Sequence, residues 1–172
     1  MKWILLALSV LAQDDKVDNP EYAGWSAHKT GAWIRFQQTV DAGRDRTISE
    51  IRCVLIDVSP TRAVDEVRTR ILSGEEAREL PLERREIPAR TVNAGRVTEG
   101  EEQIVVGGRT LKCRWIEDVV GRNKDEVVTK SWYCADVPGA LVKREIHATR
   151  DPAAVTTLVA ELWNPDEARR KR

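Results

Sequence analysis

The sequence predicts an all-β protein, an antiparallel meander of about eight or nine strands curved into a half-barrel or a nearly closed barrel. Apolar and polar residues alternate along most of the chain from Trp33 to Trp163, and the runs are rich in β-branched and aromatic side chains. Turn sequences such as Gly107-Gly108 and Pro138-Gly139 separate the runs. A closed up-and-down barrel is the alternative, because closure removes the exposed edges of a sheet.

The elements follow from this alternation. A short helical turn is predicted for Pro20–His28, and residues 91–100 are predicted to form a loop. Pro81 and Pro88 place the fourth run at an edge of the sheet, since proline cannot donate to a central ladder. The runs predicted as strands are Trp33–Val40, Thr47–Val58, Val64–Leu72, Leu80–Arg90, Glu101–Val106, Arg109–Val120, Asp125–Asp136, Leu141–Thr149 and Val155–Trp163.

The hairpin around Asn123-Lys124 has the best-defined register. Opposed residues interact across a sheet, and one register here matches charged, aliphatic, aromatic and cysteine pairs together. A shift by one residue would place the two tryptophans of the hairpin on opposite faces. If Asn123 and Lys124 form the turn, the opposed pairs include Arg122 with Asp125, Val119 with Val128, Glu117 with Lys130, Trp115 with Trp132, and Cys113 with Cys134.

Cys113 and Cys134 are the candidates for a disulfide. Directly opposed strand residues bring their Cβ atoms near the separation that a disulfide requires, and an exported protein is expected to oxidise such a pair. Two buried thiols are the alternative. The third cysteine, Cys53, lies between Ile51 and Leu55 on one apolar face, which predicts a buried and inert thiol.

The candidate ligand-binding residues share one face of this hairpin. Trp115 and Trp132 are expected on the same face as Glu117 and Lys130, so that face mixes apolar and charged groups. A concave sheet surface that is apolar at its floor and polar toward its lip has this composition, and ligands bind in such cavities. Packing of the two tryptophans in the core is the alternative.

The N-terminal residues predict export. Lys2 precedes an apolar run that ends at Ala12 and is followed at once by Gln13 and acidic residues, which is typical of a secretory signal peptide. An apolar first strand or a buried helix is the alternative. The predicted organisation is a signal peptide at 1–12, a segment with a short helix at 13–32, a β domain at 33–163, and a polar basic tail at 164–172. The expected location is periplasmic or extracellular.

Length and charge exclude several classes of protein. The chain has 172 residues, enough for one domain, with 28 Lys and Arg against 28 Asp and Glu. A formal net charge of zero gives no electrostatic argument for nucleic-acid binding. No apolar run reaches the roughly 20 residues that a membrane-spanning helix needs.

No catalytic, cofactor-binding or metal-binding motif is present. The chain lacks a phosphate-binding glycine loop, a GxSxG sequence, an HExxH sequence and a CxxC pair. The two histidines, His28 and His147, lie far apart in sequence. We therefore predict no catalytic residues, no cofactor and no metal site, and an enzyme ranks third among the functional classes.

Three short segments carry a resemblance. Thr129-Lys130-Ser131-Trp132, followed by Pro138-Gly139 and Val142-Lys143, resembles a signature of small exported bacterial proteins of unknown function. Asn19-Pro20-Glu21-Tyr22 with Trp25 resembles their mature N-terminus. At the level of fold the resemblance implies the curved, unclosed sheet of periplasmic lipoprotein carriers and related lipid-binding half-barrels. The chain departs from those carriers in having no long helix for the concave side, and the resemblance supplies no catalytic residues.

Two functional classes follow from these patterns. The first is an extracytoplasmic, non-enzymatic binding protein that takes an apolar or amphipathic small molecule on the concave face of the sheet. The second is a structural or interaction module of the cell envelope that contacts protein or polysaccharide through exposed aromatic and arginine side chains.

Overall fold

The protein is almost entirely β-structure in the computed structural model, which describes residues 16–74, 76–92, 95–121, 125–148 and 151–164. One short helix accompanies the strands of this part of the chain. In chain order the elements are β1 (Lys16–Asp18), α1 (Pro20–Ser26), β2 (Trp33–Ala42), β3 (Asp45–Val58), β4 (Arg62–Ile71), β5 (Arg78–Glu79), β6 (Glu83–Pro88), β7 (Arg90–Val92), β8 (Arg96–Val106), β9 (Arg109–Val120), β10 (Val127–Tyr133), β11 (Leu141–Ala148) and β12 (Asp151–Trp163).

The strands of the described residues form a ten-stranded sheet and a separate two-stranded ribbon. The order in the sheet is β5-β4-β3-β2-β12-β11-β10-β9-β8, and β6 also pairs with β4. Every pairing is antiparallel, and the ribbon joins β1 to β7. The sheet is not closed into a barrel, so the predicted curved half-barrel is confirmed and the closed alternative is wrong.

The position of α1 identifies the concave face. The helix packs against β3, β4 and β6 and also against β11, which lies four strands from β4 in the sheet. In a flat sheet those two strands would be about 19 Å apart, whereas a helix of this length spans only about 10 Å. A short helix can reach both strands only if the sheet curves around it, so α1 lies on the concave side.

Local sequence explains where α1 begins and what fixes it. The Asn19 side chain accepts a hydrogen bond from the backbone of Glu21 at 3.0 Å, and Pro20 occupies the first turn, where no donor is lost. Trp25 is buried beside the turn that connects β10 and β11. A Cβ added at Gly139 would lie 2.7 Å from the Trp25 ring, so this contact requires glycine.

A buried ion pair also joins α1 to the sheet. Asp65 on β4 has no solvent exposure, and Arg85 on β6 donates to both of its carboxylate oxygens, at 3.2 and 2.7 Å. Arg85 also lies 2.7 Å from the carboxylate of Glu21 on α1. Burial would lower the pKa of Arg85, but the bound Asp65 and the nearby Glu21 raise it above the ordinary value, so the guanidinium stays charged.

Two predicted turns and the predicted register are confirmed. Gly107 and Gly108 connect β8 to β9 with φ of 56° and 73°, as a tight hairpin turn requires. In the other turn the Ala140 amide donates to the Val137 carbonyl at 2.8 Å, with Gly139 at φ 72°. β9 and β10 pair Val119 with Val128, Glu117 with Lys130, and Trp115 with Trp132. Residues 122–124, and with them the predicted turn, lie outside the described residues.

Three predictions about elements are wrong in detail. The predicted loop at 91–100 is largely strand, because β8 begins at Arg96. Gly100 lies within β8, where the Trp115 ring leaves no room for a side chain. A Cβ at Gly100 would lie 2.7 Å from that ring. The predicted fourth run, Leu80–Arg90, forms the shorter strand β6 (Glu83–Pro88) at the edge of the sheet, and the edge strand β5 (Arg78–Glu79) lies before that run. The sheet has ten strands rather than the predicted eight or nine, because β5 is an additional strand.

Several predictions concern residues that the structure does not describe. The signal peptide at 1–12 lies outside the described residues, and so does the tail after Asn164. Asn164 itself accepts a hydrogen bond from the backbone of Trp33 at 2.8 Å. Within the described ranges, no helix is long and apolar enough to cross a membrane.

Candidate functional site

The four residues predicted to bind a ligand lie together on one face of β9 and β10. The Lys130 ammonium sits 4.4 Å from the centre of the Trp115 ring and 4.9 Å from that of Trp132. Trp132 is only 3% exposed, and its indole nitrogen donates to the carboxylate of Glu102. Glu117 lies opposite Lys130 in the register. We call this arrangement the tryptophan–lysine patch.

A second cation extends this patch onto β11. The Lys143 ammonium lies 4.6 Å from the Trp132 ring and 2.7 Å from the carboxylate of Glu145. The hydrogen bond from Lys143 lowers the pKa of Glu145 from its ordinary value, so this carboxylate stays ionised. His147 follows on the same face, 3.8 Å from Glu145. The charges of the patch are therefore largely neutralised within it.

The larger cavity of this half of the sheet lies on the opposite, concave face. Successive strand residues point to opposite faces, and the cavity is lined by residues that alternate with the patch. Arg114, Ile116 and Asp118 line it from β9, and Thr129, Ser131 and Tyr133 line it from β10. The ligand-binding role of the tryptophan–lysine patch stays a prediction. The cavity makes the opposite face the better candidate for a binding site.

This concave cavity has a volume of about 600 Å³ and is bounded by three parts of the fold. The sheet from β8 to β11 forms its floor, and the β1–β7 ribbon and the start of α1 form its roof. Its apolar lining comes from Val17, Val92, Val97 and Ile116. Cavities of this size hold small organic ligands.

A second cavity of about 370 Å³ continues beneath α1. Its boundary with the first is formed by shared residues, among them Pro20 and Tyr133. The remaining lining is mostly small and apolar, and comprises Ala23, Gly24, Ala27, Ala135 and Ala140. Together the two spaces make one concave site. Its end over the sheet is lined by both polar and apolar residues and is called the mixed end, and its end under the helix is mainly apolar.

Charged groups at the mixed end differ in whether they have partners. Arg114 pairs with the carboxylate of Glu99, so its charge is neutralised. Arg144 on β11 donates from Nε to the Ser131 hydroxyl at 3.0 Å. No described carboxylate lies within ion-pair distance of Arg144. The Oδ1 atom of Asp118 is buried without a hydrogen-bond partner.

The predicted disulfide between Cys113 and Cys134 is absent, and both residues carry thiols. The ladder between β9 and β10 ends at Arg114 with Tyr133, and the Cys134 amide instead bonds the carbonyl of Ala140. Cys134 has therefore left the strand pairing that the prediction assumed. The two side chains remain neighbours in hydrogen-bond contact, and burial and Cys134 raise the pKa of Cys113 to about 12.

The remaining nucleophiles and metal-ligand residues do not assemble a reactive site in the described part of the chain. Cys53 is buried, as predicted, and burial and the charge of Asp65 raise the pKa of its thiol to about 12. His28 is fully buried beside α1, on the opposite face from His147. No group of three His, Cys, Asp or Glu side chains that could hold a metal occurs among the described residues.

A separate cleft of about 390 Å³ lies on the face of β3 and β4 away from α1. Arg52 and Arg68 are directly opposed across these strands, and Arg70 follows. Exposed Leu80 and Leu82 close the other side. Glu50 and Glu79 also line this cleft, on either side of Arg70, so its three arginines leave a small excess of positive charge.

Comparison with protein-family models, with curated proteins and with solved structures finds no match to this chain. The resemblance drawn from the sequence therefore stays a prediction, and the site has to be understood from its own geometry.

Sequence reasoning found the correct strand pair but missed the residues that line the cavity. Arg114, Ile116, Ser131 and Tyr133 are the neighbours of the predicted residues, shifted by one position along β9 and β10. Their alternation of apolar and polar groups was visible in the sequence. The face that α1 covers was not, because it depends on contacts between distant parts of the chain.

Proposed function

We propose that the protein is an exported, non-enzymatic binding protein that holds an apolar or amphipathic small molecule on the concave face of its half-barrel. The observation that carries this proposal is the pair of adjoining cavities, of about 600 and 370 Å³, between the sheet and the β1–α1–β7 roof. The signal-like sequence at residues 1–12 supports export.

The lining of the two cavities supports an amphipathic ligand. Hydroxyl and charged groups, among them Thr129, Ser131 and Arg144, lie on the sheet floor of the larger cavity. The smaller cavity offers mainly alanine and glycine beneath α1. A ligand with one polar end and one apolar end can satisfy both regions, because polar groups stay bonded while apolar surface leaves water.

The neutral fluorophore N-phenyl-1-naphthylamine tests this proposal. Saturable enhancement of its fluorescence at one site per chain is the expected result. Ile116→Trp adds a large side chain on the cavity side, and we expect it to weaken binding by at least about tenfold. Glu117→Trp adds the same side chain at the next residue, on the opposite face, and is expected to leave binding unchanged.

The pair of variants also distinguishes the two faces of the sheet. Loss of binding in Glu117→Trp with retention in Ile116→Trp would place the ligand on the tryptophan–lysine patch. Absence of saturable binding by the wild-type protein would contradict the proposal outright. Circular dichroism and thermal unfolding of both variants show whether either substitution disturbs the fold.

A structural or interaction module of the cell envelope is the second candidate. The arginine-lined cleft favours it, since Arg52, Arg68 and Arg70 have no ion-pair partner among the described residues. Directly opposed like charges are unfavourable, and an acidic group on a partner would neutralise them. Co-sedimentation with envelope material that is lost in Arg68→Gln, without binding of the fluorophore, would support this candidate.

A further inference from the structure

The concave cavity presents an unpaired guanidinium, that of Arg144, and a half-buried unpaired carboxylate, that of Asp118, whereas the carboxylate of Asp18 on β1 is exposed at its rim. Arg35, Arg85 and Arg144 are the half-buried arginines of the described residues. Arg35 pairs with Glu50 and Glu161, and Arg85 pairs with Asp65 and Glu21. Arg144 alone among these three has no carboxylate partner in the described part of the chain.

The Arg144 guanidinium is held in place over the floor of the cavity. Its Nε atom donates to Ser131, which is directly opposed on β10 and is 4% exposed. The Nη1 and Nη2 groups have no hydrogen-bond acceptor among the described residues. A guanidinium presents planar, paired donors that match the oxygens of a phosphate or carboxylate. The site therefore has a fixed cation with free donors.

Asp118 supplies the complementary charge on the neighbouring strand. It lies opposite Thr129, two positions along from Ser131 in the β9–β10 register, and it lines the same cavity. Its Oδ1 atom is buried without a hydrogen-bond partner, and no described Lys, Arg or His lies within ion-pair distance. An unpartnered carboxylate in a half-buried site is unfavourable, and a ligand ammonium would satisfy it.

These two charges are too far apart to neutralise each other. With the guanidinium held over β10 and Asp118 one strand and two residues away, the strand spacing of about 4.8 Å and the rise of about 6.8 Å give a separation on the order of 8 Å. A headgroup that carries both an anion and a cation spans such a gap. The other charged pairs at the cavity, Arg114 with Glu99 and Glu21 with Arg85, are already formed.

We propose that the ligand of this cavity is a zwitterionic amphiphile, whose phosphate or carboxylate binds Arg144, whose ammonium binds Asp118, and whose apolar chain lies toward α1. This inference rests on the proposed binding function and specifies its ligand class. Along β10 the lining runs from Thr129 and Ser131 to Tyr133 and then to Ala135, from the charged end to the alanine-lined end. The polarity of the site therefore matches a headgroup followed by a chain.

The test uses displacement of N-phenyl-1-naphthylamine by dodecylphosphocholine, dodecyl phosphate and dodecanol, each below its micelle concentration. These probes share one chain and differ only in the headgroup. We expect dodecylphosphocholine to bind at least about tenfold more tightly than dodecanol, with dodecyl phosphate in between. Phosphocholine without a chain separates recognition of a lipid from recognition of a small soluble zwitterion, and we expect it to bind at least about a hundredfold more weakly.

Substitutions at Arg144 and Asp118 test which charge of the ligand each residue binds. Arg144→Gln is expected to abolish the preference of dodecyl phosphate over dodecanol and to reduce that of dodecylphosphocholine to the part supplied by Asp118, and Arg144→Lys to restore part of both. Asp118→Asn is expected to reduce dodecylphosphocholine to the affinity of dodecyl phosphate. Arg46→Gln and Asp41→Asn, which remove an exposed ion pair on β2 and β3, are the matched controls and should change nothing.

The outcomes separate this inference from the binding function. If the fluorophore does not bind, the proposed function fails. If it binds but the three probes compete equally, or Arg144→Gln and Asp118→Asn leave their order unchanged, the zwitterionic ligand is wrong while the binding function stands. Tighter binding of dodecyl phosphate than of dodecylphosphocholine would also overturn the role of Asp118, and thermal unfolding of each variant excludes loss of the fold as the cause.

Discussion

Single residues in this protein show how burial decides chemistry. Cys113 and Cys134 are neighbours and all three cysteines are buried, and the surroundings of Cys53 and Cys113 disfavour a reactive thiolate. Burial raises the pKa of Cys53 and Cys113 to about 12, and the thiolate is the form that reacts with electrophiles. The structure therefore assigns these cysteines to packing.

Thiol reactivity tests this assignment. The native protein should react with 5,5′-dithiobis(2-nitrobenzoic acid) very slowly at pH 8, because buried neutral thiols neither ionise nor meet the reagent. In denaturant without a reducing agent, all three cysteines of the sequence should react. A count of one after unfolding would show that Cys113 and Cys134 are joined, in contradiction to the structure.

At the scale of elements, α1 is fixed to the sheet by packing and by a buried charge network. Trp25 meets the β10–β11 turn, and Arg85 connects Asp65 of β4 with Glu21 of the helix. Because the sheet must curve to meet this helix on both sides, these contacts help to set the shape of the concave face. The roof of the cavity depends on them.

Arg85→Gln measures the contribution of that network. We expect a loss of about 3 kcal/mol in the free energy of unfolding, because fully buried Asp65 would lose its bidentate partner. Arg84→Gln is the matched control: Arg84 pairs with Glu66 but is 70% exposed, so its loss should stay within about 1 kcal/mol. Urea unfolding checks both, and equal losses would show that the buried pair carries no special weight.

The elements were predictable from sequence wherever alternation and turn chemistry agreed. The run at Arg109–Val120 is strand β9 with unchanged bounds, and both glycine turns occur where φ must be positive. The start of β8 was missed because Gly95 and Gly100 suggest a loop, whereas Gly100 is required beneath the Trp115 ring. Composition alone does not show which ring will cover a glycine.

The candidate site was less predictable than the strands. The pairing of β9 with β10 brought Trp115, Trp132, Glu117 and Lys130 together as expected. The face that encloses a cavity is selected by long-range contacts of α1 and the β1–β7 ribbon, which have no local sequence signal. The same long-range effect ended β10 before Cys134 and removed the geometry expected for a disulfide.

At the scale of the whole molecule, the open sheet has two edges that do not pair with each other. β8 forms one edge and β5 with β6 forms the other, and the chain between them runs through β7, which pairs with β1 instead. The edges carry prolines in and beside β6 and several glutamates in β8. Proline and charge at an edge oppose pairing with a strand of another chain.

Global stability is expected to fall at alkaline pH through the buried thiols. Their pKa is raised from 9.0 to about 12 at Cys53 and Cys113, so folding favours the protonated form. This stabilisation is complete below pH 9 and decreases as the pH rises from about 9 toward 12, where the unfolded thiols ionise first. Urea unfolding between pH 8 and pH 11 should show this decrease, and Cys53→Ala should show a smaller slope than the wild type. An unchanged slope would contradict the shift at Cys53.

The two-stranded ribbon has a consequence for the kinetics of exchange. β1 is three residues long, and even Val17, which lines the cavity, is 39% exposed. The strand is held by its short ladder with β7, by the hydrogen bond from Arg90 to the Lys16 carbonyl, and by the adjoining Asn19 amide, which donates to the Ala89 carbonyl at 3.0 Å. Detachment of β1 from β7 would open the roof of the concave cavity without breaking a hydrogen bond of the ten-stranded sheet. If the proposed ligand occupies this cavity, it can enter and leave through detachment of β1 without unfolding of the ten-stranded sheet.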